Sequence, residues 1–117
     1  MKVIFYQKQS GRQPVVDFLN RLSVKESARI VACLSSIEQL GYDSPRVIFR
    51  QIKGHLWEIK IRVNKIGFRL FYLAIKREMI VVLHAYKKQS QKAPQSEIKV
   101  AEKRLKEVLA NESAYID

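Results

Sequence analysis

Polar and apolar positions alternate most strictly over LWEIKIRV, from Leu56 to Val63. Trp57, Ile59, Ile61 and Val63 fall on one side of a strand and Leu56, Glu58, Lys60 and Arg62 on the other, because strand side chains alternate with period two. An apolar face opposite a face with Lys and Arg describes a half-buried antiparallel strand. Further strands are predicted over Val47 to Ile52, Gly67 to Ile75 and Met79 to Tyr86. In these, Arg69 interrupts a core run, and His84, Tyr86 and Lys88 share one side. The breaks at Lys53-Gly54, Asn64-Lys65 and Lys76-Arg77-Glu78 are short, which implies consecutive antiparallel pairing. His55 reads as a turn residue beside Gly54.

The rest of the chain has helical spacing, apart from a short β-rich run at Lys2 to Tyr6 that Gly11 ends. Pro14 suits the first position of a short helix, PVVDFLNRL, where its missing N–H would be free anyway. Ser23 and Glu26 form a capping box for a second helix. Its core positions are Ile30, Leu34, Ile37 and Leu40, and Gly41 stops it. These two helices are expected to form a hairpin. Pro94 and Glu97 open a last helix with an apolar stripe of Ile98, Ala101, Leu105, Val108 and Leu109. Residues 111–117 are expected to fray. The order β-α-α-β-β-β(-β)-α predicts one α+β domain over residues 1–117, with a twisted, mainly antiparallel sheet and helices packed on one sheet face.

Composition narrows the possible partners. A chain of 117 residues suits one core, and a hydrophobic content of 47% excludes wholesale disorder. The formal net charge of +11 favours nucleic acid, an acidic protein or an anionic surface. The excess is concentrated: from Arg46 to Lys92 there are 12 Lys and Arg against two acids, Glu58 and Glu78. The single cysteine, Cys33, lies in an apolar helical pattern and reads as a buried structural thiol. With no secretory signal and no apolar run long enough to span a bilayer, the expected place is the cytoplasm, with no membrane partner.

The usual small-enzyme motifs are missing. The four glycines are scattered and cradle no phosphate. Two histidines, one cysteine and no carboxylate cluster argue against a metal site, so neither a metal nor another cofactor is expected. Nothing marks a protein nucleophile. What remains is cationic and imidazole chemistry on a sheet, and RNA can be cut that way. A base takes the ribose 2′-OH proton, the oxygen attacks the adjacent phosphate, cations oppose the developing charge, and an acid protonates the leaving 5′-oxygen. The candidates for this chemistry are Lys60, Arg69, His84 and Lys88. Arg62, Tyr86, Lys87 and Lys92 are candidates for contact with RNA or ribosome. Each has a plainer reading: Lys60 as a solvated strand lysine, Arg69 as a salt-bridge partner, His84 as a core histidine bonded to backbone, Tyr86 as a cover for the sheet edge, and the lysines as a solvating loop.

Read in order, LWEIKIR (56–62), GFRLFYL (67–73), VLHAYKKQSQKAP (82–94) and EIKVAEKRL (97–105) resemble the RelE/HigB toxin superfamily, and most closely its phage-derived, Gp49-like branch. The shared features are a Leu-Trp-Glu strand, an Arg-x-x-Tyr strand (Arg69 to Tyr72) and a Leu-His segment leading into a Lys-rich loop that ends in proline. The resemblance implies a RelE-like fold and a toxin of a type II toxin–antitoxin pair. Such toxins act as metal-independent endoribonucleases on mRNA in the ribosomal A site, and an antitoxin, often a helix-turn-helix protein of the HigA kind, silences them. By this resemblance Lys60 and Arg69 match cationic positions on neighbouring strands, and Lys88 falls where relatives carry an arginine. The tyrosine of the RelE loop has no counterpart near Pro94, and the ending SAYID lacks the histidine of some HigB proteins, so the general base is not identified. Two other readings use the same fold: a ParE-like toxin that binds a protein such as gyrase, and an inactive RNA-binding regulatory domain. Cations converging on one site favour the nuclease.

Overall fold

The structure, a computed structural model, describes residues 1–89 and 94–116. Strand β1 (Lys2–Phe5) precedes helices α1 (Pro14–Asn20) and α2 (Val24–Leu40). Strands β2 (Val47–Lys53), β3 (Leu56–Val63), β4 (Ile66–Ala74) and β5 (Met79–Lys87) follow, then α3 (Gln95–Ala110). Among the described residues they form an α+β fold with one five-stranded sheet, ordered β1-β5-β4-β3-β2. The meander from β2 to β5 is antiparallel, as the short breaks predict. β1 pairs with β5 in parallel, with Lys2 opposite Met79 and Phe5 opposite Val82.

Local chemistry sets the boundaries. Pro14 opens α1. In the capping box of α2 the Glu26 N–H donates to Ser23 Oγ at 3.1 Å, and the Ser23 N–H donates back to Glu26 Oε1 at 3.2 Å. Gly41 ends this helix at φ 61°, in the region that favours glycine. Cys33 is buried, as read. The β3–β4 hairpin turns through Asn64-Lys65 with Asn64 at φ 57°, a conformation asparagine tolerates better than most residues.

The expectation that the helices share one sheet face is corrected. α1 and α2 cover one face, where Leu19, Ile30, Leu34 and Ile37 pack on Ile59, Ile61, Phe68, Leu70 and Val82. α3 covers the other, where Ala101 and Val108 pack on Leu56, Phe71, Leu73, Val81 and Leu83. Both faces of β4 are therefore apolar along GFRLFYLA, except at Arg69. Arg69 and Tyr72 point to opposite sides, so this tyrosine belongs to the helical-hairpin core. A bulge in β5 serves the same division. Phe71 pairs with His84 and Tyr72 with Val82, so Leu83 is extra and both Leu83 and His84 lie on the α3 side.

α3 is pinned to the sheet edge by polar contacts. Tyr6 donates to Glu107 at 2.7 Å, and the Arg104 guanidinium sits 5.2 Å from the centre of the Tyr6 ring. The tail expected to fray is described through Ile116, and residue 117 lies outside the described residues. Tyr115 Oη accepts from the Gln7 N–H at 3.1 Å and donates to the Gln7 carbonyl at 3.2 Å, while Ile116 packs on the α3-side core. A phenol with two backbone partners and a partly buried neighbour tie this part of the chain to the fold. Leu40 and Leu109, read as core, are exposed at the helix ends.

Candidate nucleic-acid interface

The two apolar clusters leave out Lys60, Arg62, Gly67 and Arg69, which extend the α3-side face towards the β3–β4 turn. The sheet register arranges this region as three rows. Arg62 stands opposite Gly67, and the Lys88 N–H donates to the Gly67 carbonyl at 2.8 Å, so Lys88 extends the row past β5. Lys60 stands opposite Arg69, and Arg69 opposite Tyr86. Arg50, Glu58, Phe71 and His84 form the third row. Lys60, Arg69 and Lys88 thus share one face through strand pairing alone.

Arg69 is not the open cation its pattern suggests. Its side chain is only 12% exposed. Nη1 donates to the Phe68 carbonyl at 3.1 Å, and Nε lies 3.9 Å from Glu58 Oε1. The guanidinium occupies space that a side chain at residue 67 would take: a Cβ on Gly67 would stand 3.2 Å from Nη1 and 3.6 Å from Lys88 Cβ and Cδ. Glycine here is a bare floor under an arginine. Lys88 is held below the ordinary lysine range by desolvation, then by the charges of Arg69, Lys60 and Arg62, with Glu58 opposing them.

Glu58 is the buried acid of this face. It is 1% exposed, with Arg50 Nε 3.3 Å from Oε1, and among the described residues neither of its oxygens has a hydrogen bond. Five cations, Arg50, Lys60, Arg62, Arg69 and Lys88, thus share this face with one buried carboxylate, and two of them, Arg50 and Arg69, lie within 4 Å of it.

His84 is closed on both ring nitrogens. Arg104 Nη1 approaches Nδ1 at 3.2 Å, and Glu97 Oε1 lies 2.9 Å from Nε2. An arginine only donates, so Nδ1 accepts and the ring proton sits on Nε2, facing the carboxylate. Burial holds His84 below the usual histidine range, against the pull of Glu97 and with Arg104 adding to the depression. The ring stacks on Phe71 and Tyr86 at centroid distances of 6.4 and 6.3 Å. Tyr86 itself is only 7% exposed, so its ring has little free surface for stacking a base. Burial also raises its phenol pKa.

The remaining candidates divide. Arg62 is exposed beside Gly67. Lys87 points the other way and meets Glu26 of α2 at 3.6 Å, so it does not join Lys88. Lys92 lies outside the described residues. Among those described, no group of three or more His, Cys, Asp or Glu is placed to hold a metal ion, and no helix is long and apolar enough to cross a membrane.

The family model for the phage derived protein Gp49-like (DUF891) matches residues 17–106, which span α1 to α3 and all three rows. The chain belongs to the Gp49-like family. This is a RelE/HigB-like toxin family, so the Gp49-like chain is a toxin of the toxin–antitoxin class, with an antitoxin as its implied partner. No curated protein matches it. Sequence reasoning missed four parts of this Gp49-like site: Glu58 as a buried charge, Arg50 as its partner, Gly67 as the floor under Arg69, and the Glu97–Arg104 pair that locks His84. Period-two alternation placed Glu58 on the right face, but only the register puts it beneath Arg69. Glu97 and Arg104 are seven apart, a spacing that places both on one helix face and was available in the sequence.

Proposed function

We propose that this Gp49-like toxin is a metal-independent endoribonuclease that cuts mRNA on the ribosome and so stops translation. The observation that carries the reading is the row Lys60–Arg69, with Lys88 and Arg62 in the next row, at the end of the α3-side face that lies beyond the apolar residues packed under α3. In this reading the ribose 2′-OH is the nucleophile, its proton passes to solvent water, and the protein supplies charge and a proton for the leaving oxygen. Arg69 opposes the charge that develops on the phosphorane, where a preorganised donor acts most strongly. Lys60 and Arg62 hold the flanking backbone. Lys88, whose depressed pKa makes its proton easier to release, protonates the leaving 5′-oxygen. His84 is a positioning residue: its neutral ring steadies Phe71 and Tyr86 below the reacting phosphate. A net charge of +11 favours approach to a dense polyanion such as the ribosome. The HigA-like, helix-turn-helix character of the antitoxin belongs to the same reading.

The test is induction of wild type, Arg69→Ala and Arg69→Lys in cells, with primer extension on cellular mRNA and melting curves of the purified proteins. Codon-phased cuts are expected from wild type. Arg69→Ala should lower cleavage roughly 10²-fold, the scale for losing one preorganised donor, and Arg69→Lys should restore part of it because the planar fork is absent. Full growth arrest and cutting by folded Arg69→Ala would refute the assignment. Arrest without cut mRNA would point instead to a protein target.

A further inference from the structure

We infer, on the endoribonuclease reading above, that Glu58 positions Arg69 for the reacting phosphate and does so at the expense of RNA affinity. A carboxylate that is 1% exposed normally satisfies its oxygens with hydrogen bonds, because burying a bare charge is unfavourable. Among the described residues neither oxygen of Glu58 has one. Its counter-charges are Arg50 Nε at 3.3 Å and Arg69 Nε at 3.9 Å. A core built for stability alone would place a leucine here, as Leu56 does two residues earlier on the same face.

The geometry indicates what the acid does. Two of the three guanidinium nitrogens of Arg69 are engaged: Nη1 by the Phe68 carbonyl, and Nε by the charge of Glu58. The bare Cα of Gly67 sets the remaining boundary. The fork is thereby held before any ligand arrives, and among the described residues Nη2 is the nitrogen left for one. Glu58 also offsets the repulsion that Arg69, Lys60 and Arg62 exert on Lys88, which would otherwise drive Arg69 and Lys88 apart. The same negative charge lies beneath the place where an RNA phosphate meets Arg69, so it repels the ligand that the cations attract. One residue therefore helps turnover and hinders binding. A merely structural residue would shift both in the same direction.

The experiment uses Glu58→Gln and Glu58→Asp in the full chain. Affinity is measured on ribosomes programmed with an mRNA whose A-site codon carries 2′-deoxyriboses and cannot be cut. Single-turnover cleavage is measured on the all-ribose mRNA, and Arg69 Nε–H mobility by NMR on the free protein. For Glu58→Gln the inert ribosome complex should tighten roughly three- to tenfold through lost repulsion. Cleavage should fall about 10²-fold as the fork loosens, and the Arg69 Nε–H should become mobile. Unchanged cleavage with unchanged affinity, or parallel losses of both, would overturn the inference. If Glu58→Gln does not fold, Glu58→Asp carries the test, since it keeps the charge and withdraws it by one methylene. It should bind like wild type, cut more slowly and show a mobile Arg69, whereas wild-type cutting overturns the inference. If wild type itself does not cut, the endoribonuclease reading fails. The inert-complex affinity and the Arg69 mobility then still decide the role of Glu58.

Discussion

Gly67→Ala separates the fit of Arg69 from the stability of the sheet, because the two should move in opposite directions. The added methyl would stand 3.2 Å from Arg69 Nη1. That is about 0.3–0.8 Å inside the usual 3.5–4.0 Å contact, so the guanidinium must shift by roughly that amount. The Lys88 carbons at 3.6 Å are already at ordinary contact and can stay. Misplacing a catalytic group by about 1 Å costs on the order of 10²-fold in rate, so on a logarithmic scale this shift predicts a loss of about four- to fortyfold. Stability should hold or rise. Gly67 lies within β4 and is absent from the positive-φ residues. Alanine fits such backbone and reduces the freedom of the unfolded chain by about 0.4–1 kcal/mol. The assay pairs single-turnover cleavage with chemical denaturation for wild type, Gly67→Ala, Arg69→Ala and the double variant. In the double variant the alanine at residue 67 should have no further effect on rate, because the group it displaces is gone. Wild-type cleavage by Gly67→Ala, or an equal loss in the presence and absence of Arg69, would refute the reasoning.

Three other expectations follow from polar contacts elsewhere in the fold. The folded state takes up a proton on His84 less readily than the unfolded chain does, so this residue's stabilising effect is complete above its unfolded pKa of about 6.5 and is lost as pH falls below it. Melting temperature should therefore drop between pH 7.5 and 5, and His84→Gln should flatten that slope; an unchanged slope would contradict it. Ser23→Ala removes the acceptor of the Glu26 N–H and should cost about 1 kcal/mol by denaturant unfolding; no loss would mean that water caps α2 equally well. Tyr115→Phe removes both bonds to Gln7 and should cost roughly 0.5–1.5 kcal/mol, with faster amide exchange at Gln7, whereas a frayed tail would show neither change.

How far the sequence could be read depended on whether local pattern or long-range pairing decides a feature. The meander was legible because its breaks are short, and the α2 capping box because its two residues are three apart. The hairpin turn at Asn64-Lys65 fixed the pairing of Lys60 with Arg69 within one stretch of chain. The second layer was less legible. The stripe of α3 shows that it packs on something, but not on which sheet face, and β4 is apolar on both sides because helices cover both. The partners of His84 were not legible because Glu97 and Arg104 come from that misplaced helix. The bulge at Leu83 also breaks the alternation used to read β5. Glu58 was the least legible residue, since a strand glutamate beside Lys60 has the same pattern whether solvated or buried. Only the approach of Arg50 and Arg69 from neighbouring strands distinguishes the two.

The parallel pairing of β1 with β5 has a consequence for the newly made chain. Residues 2–5 leave the ribosome before the rest of the sheet, yet their partners begin at Met79. The three rows need only residues from Arg50 to Lys88, a contiguous antiparallel stretch that assembles through short loops. Closing β1 onto β5 joins distant segments and carries the largest loop entropy of the strand pairings in the sheet. During synthesis, then, the cationic face can take shape while the first strand is still unpaired. Its exposed backbone edge in that interval is a place where another chain can add a strand.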